Sequence, residues 1–274
     1  MLATLHISTT RLGVLGFIAG FTIFIGLPVG RLRAPAVRLR AVLNAIAIGI
    51  LVFLLFDVLS HANEPVEKAL DAAKNDGASW WRFVGLGATF AVGLGIGLVA
   101  LAYYDTWMDG RRPQRSASAS AWSPAKRLAM MIAVGIGLHN FSEGLAIGQS
   151  AAKGEIGLAL LLVIGFGLHN ATEGFGIVAP LAADGERPSW AFLATVGIIG
   201  GGPTFVGTLV GRSFVNDTLF LAFLALAAGS ILYVVVQLLK VANKQGYPVL
   251  VTWGVLIGIL AGFATDYILV AAGA

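Results

Sequence analysis

Eight long stretches without lysine or arginine dominate this 274-residue chain and constrain what it can fold into. A helix needs about 20 mostly apolar residues to cross the hydrocarbon core of a bilayer. The stretches are apolar on every face, whereas the strands of a membrane barrel would alternate. Only 12% of the residues are charged, which excludes an ordinary soluble domain. We expect an all-α integral membrane protein with one polytopic domain, whose spans cover residues 12–30, 41–62, 83–104, 128–152, 156–183, 188–211, 218–239 and 247–272.

The positive charges are unevenly divided between the two sides of such a membrane domain. Twelve of the 18 Lys and Arg residues fall in alternate connections, which the positive-inside rule assigns to the cytoplasm. This predicts a multi-pass protein of the cell (plasma or inner) membrane with both termini outside. Residues 105–127, with their Ser-Ala tract, are predicted to be a flexible cytoplasmic loop. The net charge of +4 is explained by these loops, so we expect the lipid bilayer and no nucleic acid as a partner.

A polar cassette occurs twice, at an offset of 30 residues, in the fourth and fifth spans. Residues 135–144 and 165–174 both read Gly-x-Gly-Leu-His-Asn-x-(Ser/Thr)-Glu-Gly. Successive spans cross the membrane in opposite directions, so the copies are related by an inverted arrangement that brings them to similar depth. At about 100° per residue, each glutamate lies between the histidine and the asparagine on one helix face. The two polar faces are therefore predicted to converge.

The convergent groups are His139, Asn140 and Glu143 with His169, Asn170 and Glu173. Imidazole, carboxylate and amide ligands suit divalent ions such as zinc, iron(II), manganese and cadmium. A single polar residue in a membrane helix often only hydrogen-bonds to a neighbouring helix. Two buried glutamates beside two histidines need more compensation, because an ionised carboxylate at this depth costs at least a few kcal/mol. No Lys or Arg lies within the spans, so we predict a metal-binding site.

Three further residues are secondary or gating candidates. Asp57 and His61 are four residues apart on the second span and share a face, where they could form an outer gate or a further ligand. A structural role, with Asp57 bonded to a helix and His61 at the headgroup level, is the alternative. Asp266 near the outer end of the last span could collect cations. The acidic stretch 64–76 between the second and third spans is expected to be a solvated loop.

The paired His-Asn-x-x-Glu-Gly pattern on two successive central spans resembles the ZIP (Zrt- and Irt-like) family of divalent metal transporters. The resemblance implies eight transmembrane helices, with helices 1–3 and 6–8 forming an inverted repeat around helices 4 and 5. It implies that the six cassette residues carry zinc and related ions into the cytoplasm without ATP, as a transport unit shifts against a scaffold. The metal is then cargo, and neither a resident cofactor nor an enzymatic activity is expected.

Two departures from the family pattern bear on the site. The sixth span reads Gly-Gly-Gly-Pro at residues 200–203, where relatives commonly carry a carboxylate before the proline, and Pro203 is expected to mark a break or hinge. In the seventh span Gln237 stands where relatives tend to have an acidic residue or His. We therefore expect one dominant metal site, with Gln237 as a secondary candidate ligand.

Two other functions use the same residues. An intramembrane metal-dependent hydrolase would hold a catalytic zinc with an open coordination position, although the chain has no HExxH spacing. A proton-coupled carrier of another solute would use the glutamates and histidines as a proton relay. An ATP-driven pump is disfavoured by the absence of a phosphate-binding loop. The sequence leaves the number of copies open, a homodimer included.

Overall fold

The structure is a computed structural model that describes residues 7–31, 37–110, 122–152, 154, 156–213, 216–244 and 246–271. Within these ranges the chain is helical, with short turns and no strand. Eight of its segments are long and apolar enough to cross a membrane, as the sequence predicts. The helices are α1 (Thr9–Phe21), α2 (Ile23–Gly26), α3 (Val37–Asn75), α4 (Trp80–Gly110), α5 (Pro124–Ala152), α6 (Ile156–Asp184), α7 (Trp190–Ser213), α8 (Asp217–Lys244) and α9 (Pro248–Ala271).

The first span is interrupted where a continuous helix was expected. It consists of α1, the single turn α2 and a 3₁₀ segment, Leu27–Arg31. The interruption falls at Thr22, whose hydroxyl donates to the carbonyl of Ala19 at 2.7 Å. Of the interpretations of Pro203 as a break, a hinge or a packing kink, the break was wrong, because α7 continues through that proline. The sixth span is therefore unbroken and the first is not.

Two connections are shorter than the sequence indicates. The acidic stretch after residue 62 is not a loop, since α3 continues through Pro65 to Asn75. Pairs four residues apart stabilise this extension, with Asn63 donating to Glu67 at 2.7 Å and Lys68 paired with Glu64. The predicted loop 105–127 is helical at both ends, because α4 reaches Gly110 and α5 begins at Pro124. Residues 111–121 lie outside the described part of the chain.

The helices pack in pairs that map onto each other when the first three spans are exchanged with the last three. The first span packs against α6 as α7 packs against α5, and α3 packs against α9 as α8 packs against α4. Three other contacts are unchanged by this exchange, namely those of α1 with α7, α3 with α8 and α5 with α6. This is the packing of an inverted repeat around two central helices.

Glycines set the closest approaches in this arrangement. Gly49 of α3 lies against Gly258 of α9, and Gly229 of α8 lies against Gly97 of α4. A Cβ atom at any of these four positions would overlap the backbone of the facing helix. Small residues at both crossings let the two outer pairs form at the same separation. The central helix α5 is the most enclosed, whereas α4 and α9 present apolar surface outward, toward the lipid.

Candidate metal site

The two polar cassettes lie on the paired central helices, α5 and α6. The side chains of His139, Asn140 and Glu143 on α5 are buried, as are those of Asn170 and Glu173 on α6; none of the five is more than 4% exposed. The backbone of His169 lies in α6, but its side chain is outside the described part of the structure. Among the described residues, no three His, Asp or Glu side chains form a group already arranged to hold a metal ion.

Asn140 joins the two cassettes. Its Nδ2 donates to Glu173 Oε2 on α6 at 3.1 Å and to the carbonyl oxygen of Gly200 on α7 at 3.0 Å. The same amide on the second cassette, Nδ2 of Asn170, donates to the carbonyl oxygen of Ala19 on α1 at 2.9 Å. Asn140 therefore reaches α7, a helix of the last three spans, and Asn170 reaches α1, a helix of the first three. Among the described contacts, Asn140 also bridges the two cassettes.

Several buried acceptor atoms at this place have no donor. They are Oδ1 of Asn140, Oδ1 of Asn170, Oε2 of Glu143 and Oε1 of Glu173. A buried oxygen without a hydrogen bond costs about 1–3 kcal/mol, and more if it carries charge. No Lys or Arg among the described residues pairs with either glutamate. These atoms are the ones that a hard or borderline cation would take as ligands, so the donor set fits a divalent metal.

His139 adds nitrogen to this oxygen-rich group. Its Nε2 lies 3.1 Å from Oε1 of Glu143, one turn along α5, in an alignment too poor for a hydrogen bond. Its Nδ1 has no hydrogen-bond partner either. The histidine is thus held in place by packing and by the neighbouring carboxylate, with a ring nitrogen available for coordination. One imidazole and two carboxylates can neutralise and bind a dication.

Among the described residues, two buried polar side chains with unpaired atoms were not predicted from the sequence. Thr204 on α7 is fully buried with no partner for its hydroxyl, and it packs against Gly144 of α5 and Gly20 of α1. Asn44 on α3 is buried and neither of its amide atoms has a partner. Thr204 directly follows Gly202 and Pro203, and this position is the signal in the sequence that could have identified it. Asn44 stands in no repeated motif, so nothing in the sequence marks it.

The predicted gating residues lie at different distances from this group. Asp57 interacts electrostatically with His139 and, more weakly, with Asp266. Nδ1 of His61 lies 2.9 Å from the Asp57 carbonyl oxygen and 3.5 Å from its carboxylate. Gln237 on α8 is half-buried, and nothing places it in contact with the cassettes. The structure thus brings Asp57 near the cassettes, and Gln237 lies on α8, which packs against α5.

A cavity of about 740 Å³ lies at one end of the bundle. It lies between the ends of α3, α4, α5 and α8, and its polar lining includes His61, Glu64, Lys68, Arg82 and Gln149. His61 is one turn from Asp57 along α3, and Gln149 is less than two turns from Glu143 along α5. The cavity therefore lies at the end of the bundle toward which Asp57 is displaced from the cassettes.

Comparison with known families bears directly on this arrangement. The family model described as ZIP zinc transporter matches residues 108–267, more than half of the chain and both cassettes. The chain belongs to the ZIP zinc transporter family. No curated protein matches it. This ZIP protein is accordingly a multi-pass membrane protein that transports metal ions, and its family consists of transporters rather than enzymes.

Proposed function

We propose that this protein carries divalent transition-metal ions, zinc above all and also iron, manganese or cadmium, into the cytoplasm through the buried cassettes. The ligands would be His139, Asn140, Glu143, His169, Asn170 and Glu173. One observation carries this proposal: both asparagines donate their N–H groups to helix carbonyls and leave their side-chain oxygens buried and unpaired. Buried side-chain acceptors are normally hydrogen-bonded, so the two unpaired amide oxygens of the repeated cassettes favour a bound ligand that takes them.

The charges favour a dication as the occupant. Glu143 and Glu173 are both buried, and ionising them without a nearby cation would be costly. A doubly charged ion compensates both, whereas a monovalent ion leaves one carboxylate unmatched. Oxygen and nitrogen ligands together favour zinc and its neighbours over magnesium or calcium, which prefer oxygen alone. Physiological choice among the transition metals then follows their availability.

Alternating access requires part of the molecule to move, and the packing indicates which part. The cassettes lie on α5 and α6, and their asparagines are tied to α7 and α1. These four helices would move together as the transport unit. The pairs α3 with α9 and α4 with α8 are closed by glycine crossings and would form the scaffold. No ATP-binding element is needed, because the metal gradient drives the movement.

The experiment is zinc flux into proteoliposomes by Glu143→Gln and Glu173→Gln variants. Both substitutions keep the volume and remove one negative charge, so each should lower flux at least about tenfold, the equivalent of roughly 1.4 kcal/mol. Glu67→Gln is the matched control, since Glu67 is an exposed residue of the α3 extension. Unchanged flux in both buried variants would refute the proposal. Calorimetric zinc binding without flux would instead favour a metal-dependent hydrolase, and flux of another solute without zinc binding would favour a proton-coupled carrier.

A further inference from the structure

The inverted repeat assigns every residue of α3 a counterpart on α8. Ala45 of α3 lies against Gly254 of α9, and Ala225 of α8 lies against Gly93 of α4 in the same way. Together with the pair Gly49 and Gly229, this sets the offset between α3 and α8 at 180 residues. The offset is independent of the cassettes, because it rests only on the outer helix pairs. Asp57 and Gln237 are therefore counterparts in the two repeats.

These counterparts lie toward opposite faces of the membrane. Inverted repeats cross the bilayer in opposite directions, so equal positions on α3 and α8 fall on opposite sides of the central site. Asp57 lies one turn from His61, which lines the cavity, and close enough to His139 and Glu143 for charge interactions with both. Its counterpart Gln237 is one methylene longer and carries no charge. The fold is symmetric at this position, but the charge is not.

The neighbouring positions differ as well, but they add no net negative charge on the Asp57 side. Glu64, which lines the cavity and is paired with Lys68, corresponds to Lys244, which is exposed at the end of α8. His61 corresponds to Val241. Asp266 of α9 corresponds to Asp105 of α4, whose side chain lies outside the described part of the structure. Because Lys68 and Arg82 also line the cavity, the charge that distinguishes the two approaches is that of Asp57 itself.

We infer that the charge difference between Asp57 and Gln237 makes the transporter bind its metal with higher apparent affinity from the Asp57 side than from the Gln237 side. The inference rests on the proposed function, because it concerns access to the same site. Across roughly 8–10 Å of largely aqueous surroundings, a carboxylate changes the affinity of a site for a dication about fivefold to tenfold. Gln237 offers only a dipole in the corresponding place.

A thermodynamic constraint sharpens the expected result. An uncoupled carrier cannot alter the equilibrium of its cargo, so Vmax/KM must be equal in the two directions when no voltage or gradient is applied. A lower KM from the Asp57 side must therefore be accompanied by a Vmax lower by the same factor. At scarce metal the two directions then run at equal rates, whereas at plentiful metal transport from the Asp57 side saturates first and is the slower of the two.

The experiment compares zinc uptake into right-side-out and everted membrane vesicles made from the same cells. The side on which Asp57 lies is identified with an Asn75→Cys variant and a membrane-impermeant thiol reagent. The chain has no cysteine of its own, so the labelling is unambiguous. The wild type should show a KM about fivefold to tenfold lower from the Asp57 side. Vmax should differ by the same factor.

Isosteric exchanges then separate charge from structure. Asp57→Asn should bring the two KM values together, and the double variant Asp57→Asn with Gln237→Glu should reverse their order. Asp71→Asn is the matched control, since it removes an exposed carboxylate farther along the same helix. It should leave the KM ratio near the wild-type value.

The outcomes distinguish this inference from the proposed function. Absence of zinc flux in the wild type would overturn the proposed function itself. Flux with equal KM values in both vesicle types would overturn only the inference, as would a double variant that keeps the wild-type order. A reversed order with preserved Vmax/KM equality would support both.

Discussion

Replacing Asn140 by aspartate tests the geometry of the cassettes most directly. The substitution keeps the shape and the Oδ1 oxygen but removes the N–H donor to Glu173 and to the Gly200 carbonyl. A hydrogen bond to a charged partner contributes about 1.5–3 kcal/mol and a neutral one about 0.5–1.5 kcal/mol. Without metal, Asn140→Asp should therefore destabilise the protein by about 2–4 kcal/mol. Repulsion between two adjacent carboxylates adds to this unless they share a proton.

The second cassette supplies a matched control. Asn170 makes one described hydrogen bond, to the neutral carbonyl of Ala19, so Asn170→Asp should cost only about 1 kcal/mol. The assay is thermal unfolding in detergent, with and without zinc. At roughly 2–4 °C per kcal/mol, the apo Asn140→Asp variant should unfold about 5–15 °C below the wild type. The Asn170→Asp variant should unfold only a few degrees below it.

Added zinc should act on the Asn140→Asp variant in the opposite direction to the substitution itself, by stabilising the protein. The new carboxylate at position 140 increases the attraction for a dication, so zinc should raise the Tm of Asn140→Asp by more than it raises the wild-type Tm. Equal losses for the two aspartate variants would contradict the described contacts of Asn140. An unchanged or smaller zinc response would contradict the assignment of its oxygen as a ligand.

Two further predictions concern packing and charge away from the cassettes. Gly97→Ala places a Cβ atom against the backbone of Leu226 and should destabilise the protein by about 1–3 kcal/mol in the same thermal assay. Gly95 faces open space on the same helix, so the control Gly95→Ala should be neutral or slightly stabilising. Burial raises the pKa of Glu186, but hydrogen bonds from Lys126 and Ser123 outweigh it and hold that pKa below its usual range. The stabilising effect of the Glu186 carboxylate should be present at neutral pH and lost as pH falls through the lowered pKa. The Glu186→Gln variant should therefore unfold at a lower temperature than the wild type at about pH 7, and at nearly the same temperature in strong acid.

Length and repetition made much of this fold predictable. Eight apolar stretches predicted eight spanning helices, because only helices of that length satisfy their own backbone in lipid. The 30-residue offset between the cassettes predicted that α5 and α6 carry the site. The contact between Asn140 and Glu173 brings the two cassettes together as that offset indicated. Whether they bind metal stays a prediction.

Other features depended on packing that the sequence does not display. The second span was expected to end at residue 62, but pairs such as Asn63 with Glu67 extend α3 through Pro65. Pro203 was expected to mark a break or hinge, yet α7 is continuous there and a helix is interrupted in the first span, at Thr22. The outer repeats share no motif, so the correspondence of Asp57 with Gln237 emerges only from the glycine crossings.

The two ends of the first span have consequences for how the protein is made. Arg212 at the end of α7 donates to the carbonyl of Ile7 at 3.1 Å. Arg31 at the other end donates to the carbonyl of Pro188 and stacks over the ring of Trp190, 4.6 Å from its centroid. The first span thus takes its partners, α6 and α7, from much later in the chain. Until these are synthesised it must cross the bilayer with its polar ends in water, and α8 and α9 then complete the bundle by packing on α4 and α3.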